Sequence, residues 1–98
     1  MNGEGEFKWS DGRKYQGSFK DGMMEGYGVY EWRDGRRYEG EYRKNRKHGK
    51  GTYIYAEGST FVGEWKDGHQ HGIGVLTEGN TGESKTGEWV MGERKRWL

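Results

Sequence analysis

Residues 38–58 read YEGEYRKNRKHGKGTYIYAEG. Aromatic side chains and glycines stand at alternate positions in Tyr38-Glu39-Gly40-Glu41-Tyr42, and again in Gly49-Lys50-Gly51-Thr52-Tyr53-Ile54-Tyr55. Alternation at a period of two is the pattern of a strand with two unlike faces. The stretch also recurs. Tyr15-Gly17-Phe19 lies 23 residues before Tyr38-Gly40-Tyr42, and Phe61-Gly63-Trp65 lies 23 after it. The glycine pairs Gly26/Gly28, Gly49/Gly51 and Gly72/Gly74 keep the same spacing. Self-similarity at a fixed period of this size marks an array in which each unit stacks on the next.

The repeat divides the chain into units at 15–37, 38–60 and 61–84, flanked by a half unit at 1–14 and a degenerate half unit at 85–98. Each unit holds two strands. Ser10-Asp11-Gly12, Arg33-Asp34-Gly35 and Ala56-Glu57-Gly58 fit three-residue hairpin loops with glycine in the left-handed region. Asp21-Gly22, Lys44-Asn45 and Asp67-Gly68 form the second set of turns. Asn45 stands where the others carry glycine, and asparagine is among the few residues that tolerate positive φ. The strands expected are Gly5–Trp9, Lys14–Lys20, Gly28–Trp32, Arg37–Arg43, Gly51–Tyr55, Thr60–Lys66, Gly74–Thr77 and one more around Trp89. The glycine pairs are then the starts of strands, and no strand is expected after Gly92. Eight strands at about 4.8 Å give a ribbon roughly 35–40 Å long. No segment holds a 3.6-residue apolar period, so the fold class is all-β, a single-layer curved antiparallel sheet of stacked hairpins.

Composition agrees with a thin sheet. Hydrophobic residues make up 29 % of the chain and aromatic ones 15 %, against only two Leu, two Ile and four Val. Such a chain cannot fill a two-layer aliphatic core, and it is too rich in aromatics for a disordered one. Strand parity places Tyr15, Gly17 and Phe19 on one side, with their equivalents, and Gln16, Ser18, Lys20, Glu39, Glu41, Arg43, Glu64 and Lys66 on the other. One face is therefore aromatic and the other charged. The glycine between each pair of rings lies on the aromatic face, where the missing Cβ lets a ring lie against the backbone.

Net charge is +1, so no global field draws the protein to nucleic acid. The chain has no cysteine and no apolar run near the roughly 20 residues of a membrane span. The N-terminus MNGEGEFKW shows no apolar signal region. A small cysteine-free domain points to the cytoplasm.

At these residues the sequence resembles the MORN repeat (membrane occupation and recognition nexus). The resemblance rests on Tyr-x-Gly-x-aromatic, then His-Gly-x-Gly and an aromatic pair, and is closest in YEGEYRKNRKHGKGTYIYAEG and FVGEWKDGHQHGIGVLTEG. It covers nearly the whole chain; Glu25 replaces the histidine in the first full unit, and Lys85 replaces the aromatic in the last. The resemblance implies a sheet that grows by stacking hairpins and serves as a module, as in junctophilins, protist cytoskeletal scaffolds, plant phosphatidylinositol-phosphate kinases and ahead of a histone methyltransferase domain. It implies no catalysis, and both lipid and protein contact have been proposed for the family.

Three surfaces are candidates. The first is the aromatic face, expected to hold a partner peptide or amphipathic helix along Tyr30, Trp32, Tyr38, Tyr42, Tyr53, Tyr55, Phe61 and Trp65, because a one-layer sheet has nothing of its own to cover these rings. The second is the basic run Arg43, Lys44, Arg46, Lys47 and Lys50, which offers attraction to anionic lipid or phosphoinositide. The third is self-association into a homodimer through the last unit, with Trp89, Trp97 and Leu98, since edge strands expose unpaired backbone groups. No cofactor, metal or nucleic acid is expected. The glycine pairs do not complete a Gly-x-Gly-x-x-Gly phosphate loop and no helix follows them. His48, His69 and His71 lack a third metal ligand. Asp11, Asp21, Asp34 and Asp67 are turn residues by position, so no catalytic constellation is present.

Overall fold

The computed structural model describes residues 3–98, which form one antiparallel sheet of nine strands in sequence order. They are β1 Gly3–Lys8, β2 Lys14–Lys20, β3 Met23–Glu31, β4 Arg37–Arg43, β5 Arg46–Ile54, β6 Thr60–Lys66, β7 His69–Thr77, β8 Ser84–Val90 and β9 Glu93–Trp97. There is no helix among the described residues, and the sheet is 41 Å in its longest dimension. Residues 1 and 2 of the expected first half unit lie outside the described residues.

Both expected turn types form. Gly12, Gly35 and Gly58 close the first set at φ of 98°, 100° and 103°. Their loops are pinned by short side chains: Asp11 accepts from the Arg13 amide at 3.1 Å, Asp34 from the Arg36 amide at 3.1 Å and Glu57 from the Ser59 amide at 2.8 Å. In the second set both central residues take positive φ, as in a type I′ hairpin turn: Asp21 and Gly22, Lys44 and Asn45, Asp67 and Gly68, and also Met91 and Gly92. Asn45 adopts φ of 69°, the conformation its side chain suits.

Three expectations need correction. Nine strands form rather than eight, because the Met91-Gly92 turn returns the chain as β9, where Gly87 pairs with Trp97. The glycine pairs are not strand starts. β3, β5 and β7 begin earlier, at Met23, Arg46 and His69, and the glycines lie inside them. Gly26, Gly49 and Gly72 take φ of 84°, 73° and 82°, and the register with the preceding strand shifts beside them. The shift lets Met24 face Phe19 although Gly28 faces Gly17, so each long strand bulges where its neighbour does not. The third correction concerns the charged face. It also carries Tyr27, Val29, Val62, Ile73 and Val75, since Tyr27 stands opposite Glu41, Val29 opposite Glu39 and Ile73 opposite Glu88. In these strands apolar side chains interrupt the polar parity.

The core is a row of rings laid on a row of glycines. Gly5, Gly17, Gly28, Gly40, Gly51, Gly63, Gly74 and Gly87 pair in succession across β1 to β8. Tyr15, Tyr38 and Phe61 lie on these pairs and are wholly buried. A Cβ on Gly40 would sit 2.5 Å from the Gly51 Cα, and one on Gly51 would sit 2.5 Å from Tyr38 Cζ. Glycine is therefore required by close approach here, not by φ. The buried rings, with Phe19 and Trp97 at the two ends, meet edge to face in one chain. Centroid distances run Phe19–Tyr15 5.1 Å, Tyr15–Tyr42 5.4 Å, Tyr42–Tyr38 5.2 Å, Tyr38–Trp65 5.4 Å, Trp65–Phe61 5.5 Å, Phe61–Trp89 4.7 Å and Trp89–Trp97 6.0 Å. Each such pair contributes about 0.5–1.5 kcal/mol beyond area burial.

Gly51→Ala is expected to destabilise the fold by about 3 kcal/mol, because its methyl group has no free space under Tyr38. Gly35→Ala, which meets open space at positive φ, should cost about 1 kcal/mol. Urea denaturation of the two variants checks this; equal costs would show that the Tyr38 ring gives way to an added methyl group and does not fix the glycine row.

Candidate functional site

The ring face has two depths. Tyr38, Tyr42, Phe61, Trp65 and Tyr30 are buried, whereas Trp32, Tyr53 and Tyr55 keep part of their surface. Of the eight rings predicted to receive a partner, most therefore contact one another instead. The sequence could not show this, because a single sheet covers its rings only when bulges and twist bring distant strands' rings together. Trp32, Tyr53 and Tyr55 form the shallow remainder, with Trp32 5.8 Å from Tyr53 and Tyr53 4.9 Å from Tyr55.

Lys47 stands opposite Tyr42 and so belongs to the ring face. Its ammonium lies 5.4 Å from the Trp32 centroid, 5.5 Å from Tyr38, 5.8 Å from Tyr53 and 5.7 Å from Trp65. Met24 and Gln70 occupy the same place in the neighbouring units. The three positions also tie unit to unit. Asn45 N–H donates to the Met24 carbonyl at 3.0 Å, Gly68 N–H to Lys47 at 2.9 Å and Gly92 N–H to Gln70 at 2.8 Å. Asn45 Oδ1 in turn accepts from the Met24 amide at 2.8 Å.

The basic run separates into three places. Arg43, Lys44 and Arg46 remain at the turn, where they join Lys66, His48 and Asp67 around a depression of about 550 Å³. Lys47 faces the rings, and Lys50 lines the opposite face. Spacing along one chain could not reveal that Lys66, from the next hairpin, completes the group. Arg36 and Arg37 are engaged elsewhere, Arg36 with Asp34 at 2.8 Å and Arg37 with Glu31 at 2.6 Å. Among the described residues Arg43, Lys44, Arg46 and Lys66 have no ion-pair partner within 4.0 Å.

In two units the residue before the glycine pair reaches the next hairpin's turn: Glu25 Oε2 accepts from the Lys44 amide at 3.3 Å, and His71 Nδ1 from the Met91 amide at 3.3 Å. His48 Nδ1, in the middle unit, is buried and has no hydrogen-bond partner among the described residues. No cluster of three or more His, Asp or Glu that could hold a metal occurs among the described residues. In the last unit Trp89 is buried against Phe61, while Trp97 and Leu98 are exposed.

The face opposite the rings holds an apolar opening. Tyr27, Glu39, Gly40, Lys50, Gly51, Thr52, Val62, Gly63, Glu64 and Ile73 line a trough of about 540 Å³. Tyr27 is 60 % exposed, Val62 51 % and Ile73 47 %. The sequence signal for these residues is the apolar parity of Tyr27/Val29 and Ile73/Val75 in the second strands of the first and last full units; the middle unit carries Lys50 and Thr52 there.

Comparison with known families matches residues 1–12, 15–36, 38–60 and 61–80 to the MORN repeat. The chain belongs to the MORN repeat family. A search of the curated proteins returned no match. MORN repeats form a non-catalytic repeat family associated generally with protein and membrane binding. The ring-on-glycine row is what the MORN spacing encodes here, and the turn bonds at Met24, Lys47 and Gln70 are what hold successive MORN units in register.

Burial sets the ionisation of the core. It pushes the Tyr15 hydroxyl up to about 12, with Glu4 adding to the effect, and raises Tyr38 and Tyr42 further. A tyrosine held protonated contributes stability that is complete below the ordinary value of 10 and is lost as pH rises toward 12. Burial, then the nearby Arg36, lowers the Lys47 ammonium below 10.5. Its sign is opposite, because the unfolded chain holds the proton more tightly and stability rises with pH up to that value.

Two outcomes follow. Tyr15→Phe, which copies the ring of Phe61, should lose about 1 kcal/mol near neutrality through its hydrogen bond to the Ser18 carbonyl and flatten the fall in stability between pH 10 and 12. Lys47→Met, which copies Met24, should raise the thermal midpoint at pH 7, and the gain should shrink as pH approaches 10.5. Thermal melts across pH check both, and a midpoint lowered by Lys47→Met would show that the cation–ring contacts outweigh desolvation.

Proposed function

We propose that this MORN array is a docking surface for a segment of another protein, received in the trough on the face opposite the rings. The carrying observation is the exposed group Tyr27, Val62 and Ile73 around that trough, central in the sheet and in a chain whose other large apolar side chains mostly pack together. Contiguous exposed apolar surface on a folded domain marks a partner site. Its floor is the backbone of Gly40, Gly51 and Gly63, and its flanks carry Glu39, Lys50 and Glu64, so an apolar segment can bury its side chains while its polar groups meet charged neighbours. Extended or helical segments both suit a shallow trough of this kind.

The test is affinity capture with the wild-type chain and a Val62→Ser/Ile73→Ser variant, with mass spectrometry of what each retains. Both side chains are exposed, so folding should change by less than about 0.5 kcal/mol each. Partners held through the trough should fall about tenfold or more. Equal capture by both proteins would reject the trough.

A second reading is favoured by the unpaired group Arg43, Lys44, Arg46 and Lys66: peripheral attachment to an anionic membrane. Basic side chains near such a surface contribute about 1 kcal/mol each. Sedimentation with phosphatidylserine and phosphoinositide vesicles should then show binding that drops steeply with salt and is lost in Arg43→Ser/Arg46→Ser. Salt-insensitive or absent binding would remove this reading.

A further inference from the structure

We propose that Lys47 is an anchor for a carboxylate: an acidic side chain on an apolar segment of a partner protein, laid over Tyr53 and Tyr55 on the ring face. The proposal is independent of the trough, which lies on the other side of the sheet.

The argument begins with what position 47 does not need. The equivalent positions hold Met24, with no charge, and Gln70, whose Nε2 donates to Tyr55 Oη at 3.3 Å. A cation is therefore not required to fill this place among the rings. Lys47 nevertheless places its ammonium within 5.4–5.8 Å of four ring centroids. Among the described residues no hydrogen-bond acceptor or carboxylate engages it. An ammonium carries three donors, and a desolvated charge is costly unless paired. Ring faces supply only part of what water supplied.

The surroundings select the sign of the missing partner. Glu39, Glu41 and Glu64 all project from the opposite face, as their register with Val29, Tyr27 and Lys50 shows. Asp34, in the loop after Trp32, is held by Arg36 at 2.8 Å. The Arg36 guanidinium lies 5.1 Å from the Trp32 centroid with its charge met by Asp34, so the uncompensated charge beside these rings is that of Lys47. An acidic partner complements it where a basic one is repelled.

The surroundings also give the partner's shape. A depression of about 240 Å³ adjoins Lys47, walled by Tyr53, Tyr55, Trp65, His69 and Gln70. That is room for a side chain or two beside the ammonium, with aromatic walls for apolar neighbours of the acid. The lowered proton affinity of Lys47 fits an ammonium short of a counter-charge, which a carboxylate hydrogen-bonded to Nζ supplies.

The experiment titrates the wild-type chain with an acetylated, amidated pentapeptide Ser-Leu-Glu-Leu-Ser and with Ser-Leu-Gln-Leu-Ser, followed by tryptophan fluorescence from the rings around Lys47. The blocked ends exclude a terminal carboxylate as the source of binding. The expected result is a saturable response to the glutamate peptide at millimolar concentration, with the glutamine peptide about tenfold weaker. In Lys47→Met the two peptides should become equal, while circular dichroism shows the sheet retained. Equal binding of both peptides by the wild-type chain, a glutamate preference that survives in Lys47→Met, or no saturable response at millimolar peptide would each overturn the assignment.

Discussion

The Tyr38 ring occupies the space that side chains on Gly40 and Gly51 would need, and the rest of the sheet depends on that contact. A single layer has no second layer to bury its apolar surface. Here the backbone itself serves as the opposing wall, since glycine lets a ring approach where any Cβ would hold it off. Phe61 does the same work over Gly63 and Gly74 without a hydroxyl, so the ring is what the unit requires. The hydroxyls of Tyr15 and Tyr38 add bonds to the Ser18 and Glu41 carbonyls, each at 3.0 Å. The edge-to-face chain from Phe19 to Trp97 then carries packing from unit to unit, as stacking of neighbours does in any repeat array.

That arrangement divides the surface. The rings that would otherwise have made an open aromatic groove cover one another, leaving Trp32, Tyr53 and Tyr55 as a shallow remnant beside Lys47. The opposite face bears no such demand, and it is there that Tyr27, Val62 and Ile73 remain exposed. The hairpin turns supply a third kind of surface. The turns at Asn45, Gly68 and Gly92 bond back to Met24, Lys47 and Gln70 in the long strand of the preceding hairpin, which holds Arg43, Lys44 and Arg46 beside Lys66 from the following hairpin. One small sheet thus presents three physically distinct surfaces.

Much of the fold was legible because its causes are local. Asp-Gly and Asn at the turns announce positive φ, and the 23-residue spacing announces stacking. The ninth strand was hidden because Met91 takes a conformation that methionine does not advertise, and because Glu93 to Trp97 lacks the glycine pair. The bulges at Gly26, Gly49 and Gly72 were hidden for a related reason: glycine in a strand pattern fits a strand start, a bulge or a close contact equally well. Residue type alone cannot choose among the three.

The candidate sites were less legible, because a site is a statement about which side chains share a space. The alternation of Tyr38, Gly40 and Tyr42 determined that the protein is an all-β array with an aromatic face, since side-chain direction in a strand follows from parity. Only the tertiary structure decided which rings stay open, because that depends on how bulged strands bring Trp65 against Tyr38 and Trp89 against Phe61. Likewise the run from Arg43 to Lys50 fixed five cations in sequence, but the register placed Lys47 among the rings, Lys50 in the trough and the others at the turn. Neighbours along a strand point to opposite faces, so a cluster in sequence becomes separate charges in space.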